Sequence, residues 1–195
     1  MRDLTDAALV AQAQAELPYR TRAFETLMRR HGGRIRQVAR RFAGTSADAE
    51  DLAQEVMLKV FFELPRFRGE SAFTTWLWRI TANLCIDQQR RRAARPAAPA
   101  SADESEAAEA VDPRDPIAAT QARMDVERLL RHLAPEDRML VLLRLLLGLE
   151  FSEIATAMEL GLSATKMRFA RAMQTLRAAA DASARAAAVP AESGS

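Results

Sequence analysis

Asp48, Asp51 and Glu55 stand three and four residues apart in the stretch DAEDLAQEVMLKV, so a helix there would carry three carboxylates on one face. Such a cluster binds a divalent cation or transfers a proton only when other side chains complete it. The chain offers few: His31, His132 and a single cysteine, Cys85, with no CxxC or HExxH spacing. No metal or other cofactor is therefore expected. A metal-carboxylate enzyme on these three residues would lack its histidine partners. Like charges at this spacing cost an isolated helix roughly 0.2–0.5 kcal/mol per pair. The positive end of the helix dipole offsets that for Asp48 and Asp51, and less for Glu55, two turns in. A basic protein surface docking on Asp51, Gln54 and Glu55 accounts for the cluster better than catalysis does.

A second constellation is FRGESAFTTWLWRITANLCIDQQRRR, residues 67–92. Phe73, Trp76, Leu77, Ile80 and Leu84 share one helical face as a core stripe. Trp78 lies off that stripe with Ala82, Cys85 and Ile86, and Arg79, Asn83 and Arg90 form a polar strip. Two readings follow. Either Trp78 fills a helix junction, or the rings, hydroxyls, Asn83 and the Arg90–Arg92 cluster receive unstacked bases and grip phosphates, as single-stranded nucleic acid is commonly held. Cys85, alone on an apolar face, reads as packing.

The elements that must position these groups are helices. The chain has 195 residues, 49% hydrophobic, and a net charge of +2, enough for two small domains. Arg95 to Pro116, RPAAPASADESEAAEAVDPRDP, mixes prolines with small and acidic residues and lacks an apolar period, which marks a flexible linker. Helices are expected at about residues 3–16, 19–42, 48–64 and 71–92 before it, and 119–133, 136–147, 152–158 and 162–188 after it. Charge divides along the chain: residues 1–95 hold 17 Arg/Lys against 11 Asp/Glu, and residues 96–120 hold one against six. A basic first segment favours a polyanion partner. Nothing near Met1 reads as a secretory signal, and the longest apolar run, Met139 to Leu149, is short and contains Arg144. A cytoplasmic protein without membrane insertion is expected.

Residues 48–92, DAEDLAQEVMLKVFFELPRFRGESAFTTWLWRITANLCIDQQRRR, resemble region 2 of the extracytoplasmic-function (ECF) group of bacterial sigma-70-family factors, almost position for position. The likeness extends back through FETLMRRHGGRIRQVARRFAG, residues 24–44. It implies that Asp51, Gln54 and Glu55 dock on the clamp of a large RNA polymerase subunit. It also implies that the loop RFRGES captures a flipped base of the minus-ten element. Phe67, Arg68 and Ser71 would then work beside Trp76, Arg79, Asn83, Arg90, Arg91 and Arg92 as minus-ten DNA contacts.

Leu133 to Arg177, LAPEDRMLVLLRLLLGLEFSEIATAMELGLSATKMRFARAMQTLR, reads as three helices, the last two joined by a short turn, the geometry of a helix-turn-helix. This stretch resembles sigma region 4, which implies minus-thirty-five contacts from Ser163, Lys166, Met167, Arg168 and Arg171. ELGLSATKMR departs from the usual pattern: Glu159 stands at the usual turn glycine and Gly161 at the usual capping serine. The helix Met139 to Leu147 is apolar nearly all round, so it is either buried or awaits a partner. For that surface the family implies the polymerase flap or an anti-sigma protein.

The resemblance implies an all-α, non-enzymatic initiation factor with two helical domains joined by a flexible linker: region 2 over 1–95, an acidic linker over 96–118, region 4 over 119–188, and a frayed tail over 189–195. Its partners would be core RNA polymerase, promoter DNA and an anti-sigma factor, with no small-molecule substrate. Asp103, Glu104, Glu106, Glu109, Asp112 and Asp115 would either thread a basic polymerase channel or keep a tether solvated. A dimeric helix-turn-helix regulator would lack a coiled-coil seam here. A decoy that binds polymerase but no promoter shares most of these features.

Overall fold

In the computed structural model the described residues are 4–43, 45–94 and 124–188, with side chains through Arg185. They form α1 (Asp6–Glu16), α2 (Arg22–Phe42), α3 (Ser46–Glu63), a 3-10 turn (Leu64–Arg66), α4 (Phe73–Ala94), α5 (124–130), α6 (Pro135–Leu145), α7 (Phe151–Ala157) and α8 (Leu162–Ala188), with no strand among them. The expected linker and tail lie outside the described residues, apart from the tail's approach through α8.

Local chemistry sets the helix ends. Thr5 Oγ1 accepts from Ala8 N at 3.3 Å at the start of α1, and Thr45 Oγ1 accepts from Asp48 N at 3.1 Å at the start of α3. At the start of α7 a capping box pairs Glu150 with Glu153, whose carboxylate accepts from Glu150 N at 2.8 Å. Pro135 opens α6, where its missing N–H costs nothing. Most boundaries fall within one to three residues of the sequence reading, α1 starting at Asp6 and not residue 3, and two of the differences have a clear local cause. Helix α2 begins at Arg22, not Tyr19, because residues 17–19 form a turn that leaves Tyr19 94% exposed. The α3 pattern tightens into the 3-10 turn at Leu64, since Pro65 can donate no helical hydrogen bond.

The centre of the fold is α4. It packs on α1, α2 and α3 through one side and on α6 and α7 through another, so one continuous apolar cluster spans both halves. Trp76 is buried with the core stripe, and Trp78, 2% exposed, fills a helix junction with Ala82, Cys85 and Ile86. That settles the position of Trp78 in favour of packing. Burying each such side chain contributes about 1.5–3 kcal/mol. The question left open for α6 resolves the same way: Met139 to Leu143 are buried within the chain, and exposure returns only at Leu145 and Leu146. Buried Arg138 crosses between the halves. Its Nε donates to the Leu130 carbonyl at 2.9 Å and its guanidinium lies 5.5 Å from the centroid of the Phe42 ring on α2.

Candidate nucleic-acid and polymerase interfaces

A loop links the 3-10 turn to α4, and α1 anchors it. Gln14 Nε2 donates to the Phe67 carbonyl at 2.7 Å and to the Leu64 carbonyl at 3.1 Å. Gly69 supplies the left-handed backbone (φ 72°) that reverses the loop. The Phe67 ring then stacks obliquely on Trp76, with centroids 4.9 Å apart, and Phe73 lies 5.9 Å from Trp76. Beside these rings is a cleft of about 440 Å³ whose walls include Asp6, Val10, Gln14, Phe67, Arg68 and Ser71. That volume falls in the range of small-ligand pockets. Trp76 is 7% exposed and therefore supports the rings from below, while Arg68 is exposed at the rim.

The α1 contribution was invisible in the sequence. Gln14 is more than fifty residues from the carbonyl it holds, and Asp6 enters the site through tertiary contacts. Asp6 Oδ1 accepts from Arg30 and Oδ2 lies 2.8 Å from His31 Nε2, while the His31 ring packs edge-on against Phe73. Burial pushes the Asp6 carboxyl up, but the hydrogen bonds from Arg30 and His31 outweigh it and hold the group below its ordinary range.

Along α4, Asn83 and Arg91 are exposed. The other cationic groups of the strip are held by acids: Arg79 Nη1 lies 3.8 Å from Glu159 Oε1, Arg90 bonds Glu136 at 2.5 Å, and Arg92 pairs with Asp48. The Thr45 hydroxyl, then Arg92, keeps Asp48 ionised below its ordinary range. Asp48 therefore turns from the carboxylate cluster toward α4. Asp51, Gln54 and Glu55 remain together on the exposed face of α3, where Leu58 and Phe62 extend the same stripe, 58% and 70% exposed. No cluster of three or more metal-ligating side chains occurs among the described residues.

In the second half, Leu160 N bonds the Ala155 carbonyl at 2.8 Å to close the turn between α7 and α8, and Glu159 occupies a left-handed backbone (φ 55°) where glycine would be at ease. Ser163, Lys166, Met167 and Arg171 lie on one exposed face of α8. Arg168 does not join them. It turns back to α6 and donates to Asp137 Oδ1 at 2.8 Å. Arg144, the one charge of the apolar Met139–Leu147 run, donates to the Leu149 carbonyl and lies over the Phe151 ring, fixing the entry to α7.

An all-α chain with a helix-turn-helix at one end and an aromatic cleft beside a cationic helix at the other belongs to the class of helical DNA-binding proteins. The family within that class is fixed by comparison: residues 27–95 match the sigma-70 region 2 family and residues 123–176 match sigma-70 region 4. The ECF RNA polymerase sigma factor SigM of Mycobacterium tuberculosis is 34% identical over 172 residues, covering 88% of this chain and 83% of that protein. The ECF sigma-E factor of Escherichia coli K12 is 30% identical over 181 residues, covering 89% and 93%. SigE of Mycolicibacterium smegmatis is 32% identical over 165 residues, and there the chain spans 62% of the relative's length. Among solved structures, CnrH in complex with the cytosolic domain of CnrY superposes with a TM-score of 0.70 at 28% identity, covering 91% of this chain and 97% of that one. RpoE of Bartonella quintana, solved with the anti-sigma factor NepR, shares the fold (TM-score 0.58, 20% identity, 79% and 94% covered). The chain belongs to the ECF group of sigma-70-family RNA polymerase sigma factors, transcription initiation factors that are not enzymes. No helix among the described residues is long and apolar enough to cross a membrane.

Proposed function

We propose that the chain recruits core RNA polymerase to promoters with a bipartite upstream element and opens the duplex by trapping an unstacked base. The observation that carries this reading is the 440 Å³ cleft of loop 67–72, backed by Phe67 and Trp76 and continuous in sequence with the exposed Asn83 and Arg91 of α4. Base stacking on such rings contributes about 1–3 kcal/mol per base, which offsets part of the cost of unpairing without nucleotide hydrolysis. Arg79, Arg90 and Arg92 would exchange their present carboxylate partners for DNA phosphates. Lys166 and Arg171 would grip the minus-thirty-five backbone, with Ser163 and Met167 facing the bases. Asp51, Gln54 and Glu55 would dock on the polymerase clamp. CnrH is solved with the cytosolic domain of CnrY and RpoE with the anti-sigma factor NepR, and an anti-sigma partner would likewise hold this chain in the resting cell.

Run-off transcription with purified core polymerase and a genomic fragment library, with start sites mapped by sequencing, tests this directly. New starts sharing a bipartite element, lost in Asn83→Ala and Lys166→Ala, are expected. Co-purification with core polymerase without new starts would make the chain a polymerase-binding decoy, and failure to bind core would refute the clamp assignment.

A further inference from the structure

A smaller cavity, about 260 Å³, lies where the two halves meet, and its wall is mostly guanidinium: Arg40 and Arg41 from the last turn of α2, Arg92 from α4, Arg131 from the turn after α5 and Arg138 from the start of α6. Glu127 is the one carboxylate in that lining. Two of these arginines have internal acceptors, Arg92 on Asp48, and Arg138 on the Leu130 carbonyl and, at 3.5 Å, the Arg41 carbonyl. Arg41 has less: its buried Nη1 has no hydrogen-bond partner, and Glu127 Oε1 is 3.7 Å away. Arg40 and Arg131 make no ion pair among the described residues. Burial, and secondarily the charge of Arg131, lower the pKa of Arg138.

Five forks around one small space suit an anion with several oxygens, because guanidinium and phosphate meet through paired, charge-assisted hydrogen bonds. The negative end of the α2 dipole and the Glu127 carboxylate work against an anion here, but together they do not cancel five guanidiniums, of which only Arg92 is paired with a carboxylate outside the lining. The volume is below the roughly 300 Å³ at which pockets for drug-sized ligands begin, which favours a compact polyphosphate over a nucleoside. A duplex backbone would need an open surface, whereas this cavity is walled by both halves. We propose that it binds a small polyphosphorylated anion through Arg41, Arg131 and Arg138, and that the bound anion holds the two halves in the packed arrangement. The same packing sets Arg79 against Glu159, so the anion would oppose release of that arginine to DNA.

Isothermal titration of the full chain with sodium tripolyphosphate, at constant ionic strength and with sulfate as comparator, tests the site. One tripolyphosphate per chain is expected, weakened at least tenfold in Arg131→Ala and Arg41→Ala and unchanged in Arg185→Ala. Arg131 is exposed, so its variant keeps the fold, which circular dichroism checks. Dyes on Lys59→Cys and Arg177→Cys, attached selectively because Cys85 is buried, should show closer halves when tripolyphosphate is added. Three outcomes would overturn the proposal: binding indifferent to both arginines; binding only after the six linker acids are replaced by Asn or Gln, which would make the chain's own carboxylates the occupant; or weaker duplex DNA binding in the two variants with tripolyphosphate affinity unchanged, which would make the phosphate that of the DNA backbone.

Discussion

Arg79 and Glu159 face each other at 3.8 Å across the junction of the two halves, joining the polar strip of α4 to the turn of the helix-turn-helix. Both side chains are well exposed, 42% and 74%, so the pair contributes at most about 1 kcal/mol. It is a consequence of the packing, not its cause. What holds α6 and α7 on α4 is burial of Trp78 and the α6 apolar run, with Arg138 bridging to Phe42. A contact this weak can be given up when a phosphate competes for Arg79.

Glu159→Gly should stabilise the protein slightly. A side chain in the left-handed region costs about 1–2 kcal/mol, against roughly 0.5–1 kcal/mol for the added freedom of glycine in the unfolded chain and the small loss of the Arg79 pair. A urea midpoint raised by the equivalent of about 0.5 kcal/mol is expected. A lowered midpoint would mean that the Arg79 pair contributes more than its exposure allows.

Trp78→Ala should destabilise by about 3–5 kcal/mol, the usual cost of emptying a fully buried indole site, and Trp78→Phe by much less. Equilibrium unfolding followed by circular dichroism measures both. If Trp78→Ala instead left stability intact and abolished promoter opening, the ring would be a base-stacking surface and not core.

Acid should weaken the fold in a defined window. Asp6, Asp48 and Glu136 all have folded pKa values below their ordinary ones; for Glu136, burial raises the value, and its own backbone N–H and Arg90 more than compensate. A carboxylate depressed by folding contributes stability that is present above its unfolded pKa, about 4, and is lost as pH falls through the folded value. Urea midpoints should therefore be flat from pH 7 to about pH 5 and fall progressively below about pH 4.5. The triple variant Asp6→Asn, Asp48→Asn, Glu136→Gln should show a shallower fall, and an unchanged slope would locate the acid sensitivity elsewhere.

The helices were legible because their periods are strong; their starts were placed less well, since the caps at Thr5 and Thr45 and the opening Pro135 set them at Asp6, Ser46 and Pro135 where residues 3, 48 and 136 were expected. The exposed trio of α3 and the exposed face of α8 that carries Ser163, Lys166, Met167 and Arg171 were legible for the same reason, since residues three and four apart share a face. What could not be read depended on distant partners. Nothing near Gln14 announces that it holds the Phe67 carbonyl, and nothing in KMRFAR distinguishes Arg168, tied to Asp137, from the exposed Arg171. Asp48 looked equivalent to Asp51 until Arg92, 44 residues on, claimed it. The joining of the two halves through α4 also escaped, because an apolar helix face does not name the helix that will cover it.

Arg138→Met should cost about 1–3 kcal/mol despite preserving most of the buried volume. The change removes the Arg138 donor from the Leu130 carbonyl, which keeps only the longer bond from Leu133 N at 3.2 Å, loses the 3.5 Å bond to the Arg41 carbonyl, and takes the cation from the Phe42 face. Arg138→Lys should not restore it, since a single ammonium cannot reach both partners in the same plane. Urea unfolding of the two variants checks this, and full rescue by lysine would reduce the role of Arg138 to charge alone.

Polymerase capture should depend on apolar as well as acidic groups of α3. Asp51, Gln54 and Glu55 are exposed, and the stripe continues through Leu58 and Phe62, large apolar groups that a solvated face has no reason to display. Interfaces take most of their energy from such desolvated anchors, while rim charges mainly steer the encounter. Phe62→Ser should therefore weaken binding to core polymerase more than tenfold at every ionic strength. Asp51→Asn with Glu55→Gln should weaken it chiefly at low salt, where the steering charge is unscreened. Both variants alter only exposed positions, so thermal unfolding should stay close to that of the parent chain. Surface-capture kinetics across a salt series separates the two effects. Equal, salt-dependent losses in both variants would instead mean that the docking surface is purely electrostatic and that Phe62 lies outside it.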